Sequence, residues 1–147
     1  MKKIIVILVF AIFLISSCSQ RGTDAAKAKK LIDYNKKKFY SLPLSGKIVN
    51  GIREINIKGS QYEWEPENIV VSKGDKVRLI VESIDVPHGF EIEGIQIPEW
   101  NPDNLIKKGD KATLEFTAKD SGVWDTICSG YCGPGHGTMK RKFIVRE

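Results

Sequence analysis

From Ile48 onward the apolar and polar positions alternate with a period of two. Ile55 and Ile57 alternate through Glu54–Lys58, and Val77, Leu79 and Val81 through Lys76–Glu82. The pairs Phe90/Ile92, Leu114/Phe116 and Phe143/Val145 repeat the pattern. Successive side chains of a strand point to opposite faces, so each segment offers one face to a core and one to water. Turn-forming triplets separate them, at Lys73-Gly74-Asp75, Lys108-Gly109-Asp110 and Asp120-Ser121-Gly122. Short strands at this spacing predict an all-β sandwich or barrel. No segment after Tyr40 carries a strong amphipathic-helix pattern, and the chain has no internal repeat or low-complexity tract.

The chain before the alternation is different. Met1-Lys2-Lys3 is basic, and Ile4 to Ile15 is a continuous apolar run, the length of a secretory h-region and short for a bilayer span. It ends in Ile15-Ser16-Ser17-Cys18, which resembles the lipobox of bacterial lipoproteins. That resemblance implies a signal peptide over residues 1–17 and a lipid-modified Cys18 as the new N-terminus. Two or more acyl chains there would hold the protein stably on a membrane. The folded part is then expected to face the periplasm or cell exterior, where disulfides are permitted. A plain signal peptide, or an uncleaved anchor with Cys18 incidental, is the alternative.

Residues 18–46 are expected to form a basic, partly helical tether. Thr23 is placed to cap a short helix over 24–38, with Ala25, Ala26 and Ala28 favouring helix and only Leu31, Ile32 and Tyr34 as an apolar stripe. Pro43 and Gly46 mark the boundary of one domain over 47–147.

Charge follows the same division. The formal net charge is +5, of which Lys2 and Lys3 carry +2, residues 21–40 carry +5, and the remainder carries −2. The basic character belongs to the tether and not to the domain. It suits anionic headgroups or a solvated spacer, and it gives no support to nucleic-acid binding.

The chemistry is concentrated in one stretch. Apart from Met1 and Cys18, every Cys, His and Met falls in two places: Cys128-Ser-Gly-Tyr-Cys132-Gly-Pro-Gly-His136-Gly-Thr-Met139, and His88 in Val86-Pro87-His88-Gly89-Phe90. Thiolate, imidazole and thioether together favour copper over hard cations. Gly122–Cys128 reads as a strand that ends at the first cysteine, and Lys140–Arg146 as the last strand, so the cluster is a loop at one end of the sandwich. Ser129, Gly130, Gly133, Pro134, Gly135 and Gly137 supply the tight and positive-φ conformations such a loop needs. His88 follows the Lys76–Glu82 strand and a short connector, which lets it reach the same end.

The pattern Cys-x3-Cys-x3-His-x2-Met with an upstream His-Gly-Phe resembles the CuA domain of cytochrome c oxidase subunit II, a cupredoxin. Nitrous oxide reductase carries a similar domain. The resemblance covers roughly Ile55 to Glu147. It includes Ser83-Ile-Asp-Val-Pro-His-Gly-Phe90, and Gln61-Tyr62-Glu63-Trp64, which is similar to the aromatic patch of that subunit. It implies a Greek-key β-sandwich with a dinuclear copper centre. Cys128 and Cys132 would bridge both coppers, and His88 and His136 would bind one each. Met139 and the backbone carbonyl of Gly130 would be weak ligands. It also implies electron transfer with a c-type cytochrome or other redox protein, and association with a terminal oxidase or reductase. Trp64, with Tyr62, is the candidate to take up electrons, with core or edge packing as the alternative, and Glu63, Glu65 and Glu67 beside it form either an acidic rim that would steer a basic partner or a solvated strand face. The chain departs from the family in two ways. It has one apolar N-terminal segment where subunit II usually has two transmembrane helices. Gly130 stands where oxidases often carry an acidic residue that helps bind magnesium. A free-standing, lipid-anchored protein of the CuA type is the expectation.

Other readings of the same residues remain open. Cys128 and Cys132 can form a disulfide in a β-sandwich interaction module, or join His88 and His136 in a tetrahedral zinc site that leaves Met139 unused. The same ligands also suit a copper storage or delivery protein. Single-copper binding of the blue-copper type needs only one cysteine. Catalysis by this chain alone is not expected, because no Ser–His–Asp or paired-carboxylate set is left over.

Overall fold

The computed structural model describes residues 27–30, 34 and 37–147. The signal segment, Cys18 and the cap at Thr23 lie outside the described residues, as does part of the expected 24–38 helix. The chain divides between Ser41 and Leu42 into two units. In the first, residues 27–30, 34 and 37–40 are helical. No helix among the described residues is long and apolar enough to cross a membrane.

The second unit is an all-β sandwich. Its strands are β1 (Lys47–Val49), β2 (Ile52–Ser60), β3 (Glu63–Glu65), β4 (Asn68–Ser72), β5 (Lys76–Ser83), β6 (Glu91–Ile92), β7 (Lys111–Thr117), β8 (Gly122–Ile127) and β9 (Lys140–Arg146). One sheet has the order β1-β2-β5-β7, with β3 also paired to β2, and the other has the order β4-β9-β8-β6. Each sheet holds one parallel pair, β2 with β5 and β4 with β9, and the remaining pairs are antiparallel.

The alternation seen in the sequence is the inward face of these sheets. Ile55 and Ile57 of β2, Val77, Leu79 and Val81 of β5, and Leu114 and Phe116 of β7 meet Ile69, Val71, Phe143 and Val145 of the other sheet in one buried cluster. Burying each such side chain contributes about 1.5–3 kcal/mol. β4 and β9 depart from the alternation, because Ile69–Val71 and Phe143–Val145 are buried without a break. Val70 stands beside Ile144 in the register, so this parallel pair is buried on both faces.

Residues just before β1 are tied to the sandwich. Ser45 N donates to Val70 O at 2.8 Å and Ser45 Oγ accepts from Val70 N at 2.9 Å. Arg53, 8% exposed, donates to Ser45 O at 3.0 Å and pairs with Asp75 at 2.6 Å. These bonds attach residues 42–46 to the sandwich.

Candidate metal centre

Two segments bring the candidate ligands to one end of the sandwich. β8 ends at Ile127 and delivers Cys128. The chain then turns through Cys132, makes a single 3-10 turn at His136–Thr138, and enters β9 after Met139. Cys128 N donates to Met139 O at 3.3 Å, which closes the loop at its base. The second segment leaves β5, and there His88 and Ile106 exchange backbone hydrogen bonds at 3.1 and 2.8 Å. That bridge fixes the backbone of a histidine whose side chain is fully buried.

The two segments touch closely. A Cβ on Gly89 would lie 2.6 Å from Gly130 N and closer still to Ser129 Oγ, so only glycine permits this approach. Of the loop glycines expected to take positive φ, only Gly133 does so, at 129°. Gly135 is needed for space instead, since the ring of Tyr62 occupies the position of its missing Cβ.

The donor atoms form a chain along a pair of thiols. Cys128 Sγ lies 3.7 Å from Cys132 Sγ. His88 Nδ1 lies 3.6 Å from Cys128 Sγ, and the Cys128 thiol points at Gly130 O at 3.0 Å. On the other side, His136 Nδ1 lies 3.7 Å and Met139 Sδ 3.9 Å from Cys132 Sγ. The ligand atoms of His88, Cys128 and Cys132 all lie within 4.8 Å of one another, and His136 falls outside that set. Both cysteines are free thiols, and both are buried with Met139. Buried soft and borderline donors in mutual contact fit copper, which the resemblance implies.

Burial pushes the Cys132 thiol up to about 11, and the neighbouring Cys128 adds to the rise. A metal must therefore displace protons when it binds, because thiolates and not thiols are the ligands. Asp85 is shifted the other way. Partial burial opposes its charge, but the Gln61 N–H, the His88 ring and the Val86 N–H together outweigh that cost and hold its carboxyl below the usual range.

The aromatic residues near the donors differ in exposure. Trp64 is 2% exposed and packs edge-on against His88, 5.8 Å between ring centroids, and against Phe90 at 5.1 Å. Its inward position in β3 makes it core, so it presents no surface to a partner. Tyr62 is half-buried against the glycines of the ligand loop. The acidic rim is also reduced: Glu63, Glu65 and Glu67 are exposed as expected, but Glu63 is paired with Arg141 at 3.2 Å. The exposed aromatic of the site is Tyr131, 75% exposed, with its ring 5.9 Å from that of His136. Nothing in the sequence distinguished it from any other loop residue. Asp85 also went unrecognised, although its place three residues before His88 was a usable signal.

No protein-family model matches the chain. Among curated proteins the chain is 35% identical over 87 residues to cytochrome c oxidase subunit 2 of Thermus thermophilus, covering 58% of this chain and 60% of that protein. It is 32% identical over 92 residues to quinol oxidase subunit 2 of Sulfolobus acidocaldarius, covering 60% of this chain and 48% of that one. The chain thus spans about half to three-fifths of the length of these relatives. Among solved structures, a chain of a heme-copper terminal oxidase dimer superposes with a TM-score of 0.54 at 20% identity, covering 89% of this chain and 97% of that one. The fold is shared with that oxidase chain, and the sequence is similar to the second subunits of cytochrome c and quinol oxidases.

Proposed function

We propose that this chain is an extracytoplasmic electron-transfer protein whose domain holds a dinuclear, CuA-type copper centre. The observation that carries the reading is the placement of the two histidines. They sit against different members of a thiol pair, and His136 lies outside the tight set formed by His88 and the two cysteines. A single tetrahedral zinc ion, with ligand bonds of about 2.0–2.3 Å, needs all four donors gathered round one point. Two metals that share both thiolates suit the observed spread.

In this reading Cys128, Cys132, His88 and His136 would hold the copper pair, with Met139 and Gly130 O as weak ligands. The copper pair supplies a one-electron couple. The protein's own contribution is to hold the donors still and dry. His88, Cys128, Cys132 and Met139 are buried, and the loop is closed at its base by the Cys128–Met139 bond. A braced donor set changes little on reduction, which suits fast electron exchange and leaves no open position for substrate. Half-buried His136, with Tyr131 beside it, is the most exposed of the side-chain donors.

The partner is a c-type cytochrome or similar redox protein, and a terminal oxidase or reductase is the assembly that similarity to oxidase second subunits supports. Residues 1–17 act as the signal and Cys18 as a lipid anchor. Residues 18–46 serve as tether, with 42–46 attached to the sandwich. No catalysis is assigned to this chain alone.

Copper reconstitution followed by metal analysis and EPR tests the reading. Two coppers per chain with one unpaired electron coupled to both nuclei is the expected result. One copper with a single-nucleus pattern, or a disulfide that excludes metal, would replace it with copper delivery or a structural role.

A further inference from the structure

Gln61 lies at the bend between β2 and β3, on neither ligand-bearing segment, yet it bonds to both. Its backbone N–H donates to Asp85 Oδ2 at 2.6 Å, and Asp85 Oδ1 lies 2.8 Å from His88 Nε2. Its side-chain Nε2 donates to the Cys132 carbonyl at 2.5 Å, across 71 positions of sequence. The adjacent Tyr62 fills the space above Gly133 and Gly135 in the same loop. One bend therefore reaches the histidine through its main chain and the second cysteine through its side chain.

We propose that Gln61 is a positioning residue for the metal centre, which fixes the Cys132 turn relative to His88 before any metal binds. The Cys128–Met139 loop joins two strands of one sheet, β8 and β9, while His88 lies on the connection that crosses to that sheet from β5 of the other, ending at β6 beside β8. The spacing between the two thiol–imidazole contacts thus depends on how the sheets are joined at this end. Gln61 belongs to the sheet that carries β5 and reaches across to the loop of the other. A neutral amide suits the task, because it can donate to a carbonyl without bringing charge to the thiolates. A carboxylate there would accept only, and would repel them. Donor groups that hold a ligand segment in place influence metal affinity nearly as strongly as some ligands do.

The consequence for copper rests on the function proposed above, whereas the clamp is a property of the metal-free chain. The test uses the full chain as wild type, Gln61→Leu and Gln61→Glu. In the metal-free proteins, amide hydrogen exchange is followed across Cys132–His136 and across β5 and β9. Loss of one hydrogen bond is expected to speed exchange in the loop by up to about tenfold and leave the core strands unchanged. In the copper-loaded proteins, competition with a chromophoric Cu(I) chelator is expected to show affinity reduced by about 10–100-fold, with an altered hyperfine pattern. Gln61→Glu should be at least as impaired as Gln61→Leu.

Unchanged loop exchange in Gln61→Leu would overturn the proposal. So would faster exchange throughout the core, which marks an ordinary stability residue, or faster loop exchange with unchanged affinity and spectrum. If wild type takes up no copper, the functional reading falls, and the exchange measurement alone still decides whether Gln61 is a clamp.

Discussion

The Nε2 atom of His88 lies 2.8 Å from Oδ1 of Asp85, and this contact turns the other ring nitrogen toward Cys128. An imidazole that donates from Nε2 presents a lone pair at Nδ1, so the carboxylate selects the tautomer that can bind a metal on the cysteine side. Asp85 is itself held by the N–H groups of Gln61 and Val86. Replacing Asp85 by Ala should free the ring and weaken copper binding by about 10–100-fold. Asp85→Asn retains an acceptor of the same shape and should fall between the two. Chelator competition on the three proteins checks this, and wild-type affinity in Asp85→Ala would show that burial alone orients His88.

The two thiols should be equivalent in number but not in neighbours. Cys128 has His88 and Gly130 O beside it, whereas Cys132 has His136 and Met139. Changing either to Ser removes one of the two sulfurs proposed to bridge. Each variant is expected to hold one copper and to lose the two-nucleus hyperfine pattern. Metal-to-protein ratio and EPR measure both. Two coppers retained in Cys132→Ser would mean that the thiols do not bridge.

Gly135 and Gly137 sit two residues apart in the ligand loop and should respond oppositely to the same change. A Cβ on Gly135 meets the ring of Tyr62, while one on Gly137 meets nothing within 4 Å. Gly135→Ala is expected to destabilise the metal-free domain by about 1–3 kcal/mol, the usual cost of overpacking, and Gly137→Ala should be near neutral. Denaturant titration compares them. Adding Tyr62→Leu to Gly135→Ala should recover part of the loss, since the clash is with that ring.

Sequence pattern revealed strands with one wet face, and also β9, although its Phe143–Val145 is buried without a break. Val77, Leu79 and Val81 alternate because the other side of β5 faces outward, and β5 was read to within a residue of its observed end. β4 was missed because Ile69–Val71 is buried without a break, and an unbroken apolar triplet has no period to read. The candidate ligands stand out in the sequence because rare residue types cluster at fixed spacing, and the structure brings their donor atoms together at one end. What surrounds the ligands was not legible. Gln61, Asp85 and Tyr131 act through contacts between segments far apart in sequence, and ordinary residue types carry no signal of that. For Trp64 the sequence leaves core packing and electron entry both open, and the register of β3 against β2 places this ring inward.

The exposed side chain beside the site gives a kinetic prediction. Tyr131 is 75% exposed against the ring of His136, and Trp64 is 2% exposed. Tyr131→Ala should leave stability and copper content unchanged and slow reduction by a soluble c-type cytochrome. Trp64→Phe should instead lower the melting temperature, because it opens space in the core beside His88 and Phe90. Stopped-flow reduction and thermal unfolding of both variants separate the two roles. Full-rate reduction in Tyr131→Ala would remove this residue from the route.

The metal-free protein should also become less stable at alkaline pH. The Cys132 thiol is raised by burial, and secondarily by Cys128, from 9.0 to about 11 in the folded chain. A group whose pKa is higher folded than unfolded binds its proton more tightly in the native state. Its contribution is therefore fully present below pH 9 and is lost as pH rises toward 11. Denaturation midpoints of the metal-free wild type should fall across that window, and those of Cys132→Ser should fall less, since a serine hydroxyl does not titrate there. Copper should abolish this part of the dependence, because a bound thiolate has already given up its proton. Parallel pH profiles for the metal-free wild type and Cys132→Ser would show that the alkaline limb belongs to other groups.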